Sequence, residues 1–206
     1  ATVQYENQQA SSDLSFKTNR YELTASVFSK STVTQINRQY TNGLELFALY
    51  KNPKITAQLS FTTLQARIKT ENLSYRSSYD LGYFTKGNIQ YRFKQTWSVA
   101  AFALWRQGAW YQPVVSSVFD PQWQVYEPTL APYNQQERMP DYFSLSGNIS
   151  KVFALSEKMT LISFLSAENI TNHFNVRAYT YNSDYSMAIA ERFTQRTFFL
   201  GAVLNF

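Results

Sequence analysis

Arg196-Thr-Phe-Phe-Leu-Gly-Ala-Val-Leu-Asn-Phe206 is the stretch on which the fold turns. Side chains alternate along a β-strand. Phe198, Leu200, Ala202, Leu204 and Phe206 therefore share one face, and Thr197, Phe199, Gly201, Val203 and Asn205 the other. The run ends on an aromatic residue with no polar tail, which predicts a strand paired on both sides with a greasy face kept from water.

The same two-residue period recurs upstream. Tyr21, Leu23, Ala25 and Val27 oppose Glu22, Thr24 and Ser26, with Lys30 farther along the polar side. Ile55, Ala57, Leu59 and Phe61 oppose Lys54, Thr56, Gln58, Ser60 and Thr62. Leu81, Tyr83, Ile89, Tyr91 and Phe93 face away from Lys86, Asn88, Gln90 and Arg92, and Phe143, Leu145, Ile149 and Phe153 from Ser144, Ser146, Asn148 and Ser150. Runs this long predict strands of about ten residues, against five or six in soluble sheets. We expect nine, near 2–17, 20–31, 39–50, 54–69, 78–93, 96–108, 141–154, 158–170 and 194–206. In the first, the pattern slips around Gln8 to Ser12, which predicts a bulge there; splitting that strand near Gln9 would give ten. The one weakly helical stretch, Met187 to Phe193, reads as loop.

Connections carry a second signal. Thr18-Asn19, Lys51-Asn52-Pro53, Lys94-Gln95 and Ala154 to Glu157 are tight turns, whereas Thr32 to Arg38, Thr70 to Ser77, Ala109 to Pro140 and Thr171 to Phe193 are longer. Short turns at one end and long loops at the other are the habit of outer-membrane β-barrels, with the short turns periplasmic. The expected fold is thus all-β, an antiparallel transmembrane barrel segment of about nine strands. Nine is an odd count, and an open sheet in lipid leaves two unpaired edges whose backbone groups cost several kcal/mol each. The chain is accordingly expected to be one part of a larger closed barrel, processed or clipped ahead of Ala1.

Composition agrees. Tyr 15, Phe 16 and Trp 4 make 17% aromatic residues, yet mean hydropathy is -0.36. Apolar-out, polar-in strands with aromatic girdles produce that mixture. No run of eighteen apolar residues argues for a helical span. With Cys 0, disulfides and thiolate chemistry are excluded. The net charge of +5 is spread without a basic run, so a nucleic-acid partner is not expected.

Four stretches together resemble the C-terminal part of TonB-dependent outer-membrane transporters, particularly those of Bacteroidetes. Tyr40-Thr-Asn-Gly43-Leu-Glu45-Leu is similar to the family's G-x-E-x strand, and Arg138-Met-Pro-Asp-Tyr-Phe-Ser-Leu145 to the R-x-P-x-Y-x-x-L start of its third-last strand. Ala167-Glu-Asn-Ile-Thr-Asn172 resembles the v-x-N-L-x-N close of the second-last, and the stretch quoted first matches the last. The resemblance runs from about residue 40 to the end. It implies a 22-stranded barrel with an N-terminal plug, importing a scarce nutrient (glycan, peptide, siderophore or similar) with energy relayed by TonB. Residues 1–206 would then be barrel wall and extracellular loops. The plug, the TonB-contacting segment and the earlier strands are outside this sequence. Implied partners are the rest of the barrel, the plug, TonB through the plug, a surface substrate-binding lipoprotein and the lipid bilayer. The alternative is a complete small barrel of eight to ten strands with a structural or adhesive role; a soluble carbohydrate-binding sandwich is a third.

Glu22, Glu45, Lys86, Asn88, Gln90 and Arg92 would face the lumen, either as a wet wall or as plug contacts. Trp97, Tyr40, Tyr50 and Phe206 would sit at headgroup depth as girdle residues. Candidate ligand contacts are Arg106 at the outer rim, Trp110, Tyr111, Trp123, Tyr126 and Tyr133 in the longest loop, and Tyr179 and Tyr181 in the last. Flat rings offer contact area with few rotors to freeze; packing among the loops is the plainer use of the same residues. His173, the lone histidine, has no recognisable triad partner, so no catalysis, metal or cofactor is expected. Asn169 and Asn172 are expected to hold the turn out of their strand through side-chain to backbone bonds.

Overall fold

The computed structural model describes residues 6–33, 38–77 and 79–206. Its strands are, in chain order, β1 (Glu6–Lys17), β2 (Tyr21–Val33), β3 (Arg38–Lys51), β4 (Ile55–Lys69), the short β5 (Ser74–Arg76), β6 (Gly82–Phe93) and β7 (Trp97–Arg106). Within the next connection lie β8 (Trp110–Tyr111), β9 (Val114–Asp120), β10 (Val125–Leu130), one 3-10 turn (Tyr133–Gln135) and β11 (Glu137–Arg138). Then come β12 (Tyr142–Ala154), β13 (Thr160–Glu168), β14 (Val176–Tyr181), β15 (Ala188–Arg192) and β16 (Thr197–Asn205).

Nine long strands form one antiparallel sheet in the order β1-β2-β3-β4-β6-β7-β12-β13-β16, with β5 pairing back onto β4. The outer edges of β1 and β16 have no partner strand among the described residues, so the sheet is not closed. Residues 2–5 and 78 of the expected strands lie outside the described residues. From Glu6 to Lys17, β1 pairs residue for residue with β2 without a shift. The bulge expected at Gln8 to Ser12 is therefore absent, as is any split. Polar residues on both faces blurred the alternation there, while continuous backbone pairing held the register.

Register carries each face across the sheet. Directly paired positions run Phe198, Ala167, Gly147, Ala101, Ile89, Ala57, Tyr50, Tyr21. One step along, the row reads Leu145, Ala103, Gly87, Leu59, Ala48, Leu23, Phe16. The alternating apolar residues of the faces named first in each stretch fall on this side, except Leu81, which precedes β6, and Phe206, which follows β16. The opposite side carries Glu22, Gln58, Asn88, Gln90 and Asn148, linked laterally by Asn88 donating to Gln58 (3.3 Å), Gln90 to Ser98 (3.1 Å) and Asn148 to Ser166 (2.7 Å). Glycine is required twice on this polar side. The Phe28 ring lies over Gly43 and the Phe164 ring over Gly201, each glycine being its ring's cross-strand partner, and a Cβ at either would collide with the ring.

Among the described residues no second layer covers the apolar side of the sheet. Leu23, Leu59 and Ile89, in mid-sheet, remain 50%, 54% and 49% exposed. Apart from Thr62 in the middle of β4, the buried residues instead gather at the end carrying the long connections: Ala66, Ser77, Asp80, Ala131, Asn169, Asn175 and Val176. Connections at the other end are tight: 18–20, 52–54, 94–96 and 155–159. The loop end holds 34–37, 70–81, 107–141 and 169–196. The first of these is shorter than expected because β2 and β3 run on to Val33 and Arg38; residues 34–37 themselves lie outside the described residues.

Candidate functional site: the loop cap

Three connections read as loop contain strands, the first of them only the short β5. β9 pairs with β10, β8 with β11, and β14 with β15. Residues 188–192, within the stretch taken as loop, are thus a strand. Ala188, Ala190, Glu191 and Arg192 have little intrinsic preference for a strand, and pairing with β14 overrides it.

Asp80 organises the inner part of the cap. It is fully buried, and its two carboxylate oxygens meet Arg76 (2.8 Å) and Arg138 (3.5 Å). Both guanidinium groups also lie against the Trp110 indole, at 4.9 and 4.4 Å from the ring centroid. Arg138 donates further to the Gly108 carbonyl (2.9 Å), and the Gln136 side chain bonds both backbone groups of Arg76. Burial is the main cause that lowers the Arg138 pKa, with Asp80 opposing it. The knot joins loop 70–81 to loop 107–141. Gly82, at φ +65, starts β6 beside it, and the Asp80 side chain accepts the Gly82 N–H (3.2 Å).

The outer part is aromatic. Tyr75 stacks on Tyr133 (4.1 Å), Tyr111 tilts against Tyr179 (5.0 Å), and Phe119 against Tyr126 (5.1 Å). Tyr111 donates to Glu137 (3.1 Å); burial first, then this carboxylate, push its pKa up to about 12. The β9–β10 hairpin docks on the β14–β15 hairpin through the Val114 N–H donating to the Tyr181 hydroxyl (3.1 Å) and Ser117 donating to the Asp184 carbonyl (2.6 Å). Between their tips lies a cleft of about 440 Å³ lined by Gln124, Val125, Tyr126, Tyr181, Asn182, Ser183 and Tyr185. Gln124 (φ 54) and Tyr185 (φ 60), one from each hairpin, have left-handed backbones. Such conformations cost on the order of 1–3 kcal/mol in a non-glycine residue, are held by their surroundings, and cluster at ligand sites.

Comparison with protein-family models, with curated proteins and with solved structures found no match.

The eight expected ligand contacts therefore divide. Tyr126 and Tyr181 line the cleft, joined by Tyr185. Trp123 stands 71% exposed at the β9–β10 tip. Trp110 belongs to the Asp80 knot, where its indole nitrogen is buried without a hydrogen-bond partner among the described residues. Tyr111, Tyr133 and Tyr179 are engaged by neighbouring rings. Arg106 lies apart at the end of β7, over the Tyr142 ring at 4.9 Å. Sequence reading passed over Asp80, Arg76 and Gln136. Asp80-Leu81-Gly82, an acid just before a left-handed glycine, was the one local sign.

Asparagines bolt the last loop to the sheet. The Asn169 amide donates to the His173 carbonyl (3.1 Å) and its oxygen accepts the His173 N–H (3.1 Å), while Asn172 accepts the Arg196 N–H (3.2 Å). Both have left-handed backbones, φ 46 and 52, as turn-forming asparagines tolerate. Asn175 pairs with both backbone groups of Phe143, accepting at 2.8 Å and donating at 2.7 Å. The His173 ring contacts Asn175 (Nδ1 at 3.0 Å) and packs edge-on to Phe143, a structural use of the lone histidine.

Proposed function

We propose that this chain forms wall and outer loops of a TonB-dependent outer-membrane importer of a scarce nutrient. Its loop end is extracellular and its turn end, with the C-terminus, periplasmic. The observation that carries the reading is a continuous apolar face on nine long antiparallel strands whose sheet has two open edges. In water, each large side chain left on that face forgoes about 1.5–3 kcal/mol of burial. A bilayer removes the cost on the face but not at the edges, where each unpaired group in hydrocarbon costs several kcal/mol. More strands, closing a larger cylinder, satisfy both.

Aromatic rows at the two ends of the apolar face support the bilayer. Tyr21, Tyr50, Tyr91, Phe93 and Trp97 cluster at the turn end, with Tyr21–Tyr50, Tyr91–Phe93 and Phe93–Trp97 at 5.2, 5.8 and 5.9 Å. Phe206 continues the row beyond β16. At the loop end stand Tyr40, Tyr83, Trp105, Phe143 and Phe198, with Tyr83 against Trp105 at 5.0 Å. Trp97 to Trp105 spans eight positions, about 26 Å along a strand at ~3.3 Å per residue. Tilted about 40°, that is about 20 Å, close to the ~25 Å apolar band of such barrels. The polar face, with Glu22, Glu45, Lys86, Asn88, Gln90 and Arg92, then faces the lumen and its plug.

The transporter family, rather than any large barrel, rests on the resemblance from residue 40 onward. The loop cap is where substrate, or a surface lipoprotein presenting it, would first touch the chain. An uncharged cleft between tyrosines suits a glycan or peptide better than a strongly anionic siderophore. Fractionation and intact mass test the reading. The native polypeptide is expected in the outer membrane, soluble only with detergent, and several times heavier than 23.9 kDa. A detergent-free soluble protein of about this mass would sink it.

A further inference from the structure

The basic residues that form no run in the sequence form a patch in the fold. Arg20 closes the β1–β2 turn, Lys51 and Lys54 flank the β3–β4 turn, and Arg92 lies near the end of β6. Backbone bonds tie them pairwise: Lys51 N–H to the Arg20 carbonyl (2.8 Å) and Arg92 N–H to the Lys54 carbonyl (2.7 Å). The turn between Lys51 and Lys54 is itself closed by the Asn52 N–H on the Ile55 carbonyl (2.8 Å). Four cationic residues thus sit on adjoining backbone segments, with neighbouring strands about 4.8 Å apart. All four line one groove of about 510 Å³ at the turn end of the polar face.

No carboxylate lines that groove. The nearest in sequence, Glu22, is taken by Lys17 at 3.1 Å. None of the four makes an ion pair among the described residues. Of the three amides that line the groove, two are committed, Asn52 to Tyr50 and to the Lys54 and Ile55 N–H groups and Gln90 to Ser98, and Asn19 is the third. What the groove offers a ligand is therefore positive charge, and like charges gathered so closely repel one another until something negative covers them. The charges are spread over two turns and a strand, and the groove is open along its length. That spread suits a ligand carrying several negative charges along its length.

We propose that this groove binds an acidic polypeptide segment, extended along the turn end of the polar face. The groove is read from the described residues alone; under the importer reading it opens at the periplasmic end of the lumen, beside the plug.

The test uses the native protein in detergent and a fluorescein-labelled octaglutamate probe, read by anisotropy. The expected result is saturable binding that weakens as salt screens it. It should fall at least tenfold in the R20Q/K51Q/K54Q/R92Q variant and by an intermediate factor in K51Q/K54Q, whose two changes are confined to an exposed turn. A K30Q/K69Q control, removing two charges near the loop end as K51Q/K54Q does at the turn end, should bind like the parent. The proposal is overturned if the quadruple variant binds like the parent or if the control loses as much. It is also overturned if inorganic pyrophosphate, at matched ionic strength, binds alone and displaces the probe completely, which would make the groove a small-phosphate site.

Discussion

The turn end and the loop end of the sheet are held by opposite means. At the turn end the side-chain bonds that close each turn are local, and only backbone bonds such as Lys51 N–H to the Arg20 carbonyl link one turn to the next. The Thr18 hydroxyl accepts the Tyr21 N–H (2.9 Å), Asn52 accepts the Lys54 and Ile55 N–H groups (2.9 and 2.7 Å), and Ser156 accepts the Met159 N–H (3.1 Å). At the loop end the decisive bonds join residues far apart in the chain. Asp80 meets Arg138, Gln136 meets Arg76, Asn175 meets Phe143, and Ser117 meets Asp184. One end is stitched by its own turns. The other exists only once distant loops have met, so its parts fail together while the turns fail one at a time.

Breaking the largest of these contacts should show that difference most clearly. Replacing Asp80 with alanine leaves two guanidinium groups without their shared carboxylate. Breaking a buried ion pair costs about 3–5 kcal/mol; Arg76 and Arg138 keep some solvent, which moves the expected loss to about 2–3 kcal/mol. Limited proteolysis should then open loops 70–81 and 107–141 together, and protection of either one alone would show that the knot does not couple them. Asn175→Ala comes next. It strands both backbone groups of Phe143, at about 1–3 kcal/mol, and amide exchange at Phe143 and across 169–196 should accelerate while the turn end stays protected.

The turn end should yield less. Asn52→Ala removes two bonds that partly reform with water, for about 1 kcal/mol, and exchange should rise at Lys54 and Ile55 only. Spread of that effect into 94–96 would mean the turns are not independent. The smallest effect is set by pH. Tyr111 has its pKa raised to about 12 from the ordinary 10.0. Its contribution to stability is therefore complete below pH 10, falls as pH rises, and is gone above about 12. Ultraviolet titration should find one late-ionising tyrosine, absent in Tyr111→Phe. Asp184 has the opposite sense. Hydrogen bonds from Ser186 lower its pKa, so its contribution holds at neutral pH and fades as pH falls through the carboxylate range.

How much of this was legible beforehand follows the same division. The long strands, their faces and the tight turns could be read because strand period and turn chemistry depend on neighbours two or three residues away. β16 is the clearest case: Phe198, Leu200, Ala202 and Leu204 alternate as written, and the pairing with β13 keeps them on one side. The cap was legible only as a list of rings. Trp110, expected as a ligand contact, lies against Arg76 and Arg138, the two arginines that hold Asp80, and nothing within several positions of Trp110 announces that. β15 was missed because its residues do not favour a strand by themselves, and the first strand's bulge was expected from a pattern that backbone pairing overrode.

By itself, then, the sequence determined nine strands, two unlike faces and the tight turns, since each is a matter of local geometry repeated along the chain. Only the tertiary structure decided which loop rings turn inward, which tyrosines share a cleft, and that Arg20, Lys51, Lys54 and Arg92 meet in one groove. Those outcomes depend on register between strands and on side chains converging from distant segments, and proximity of that kind has no signature in residue order.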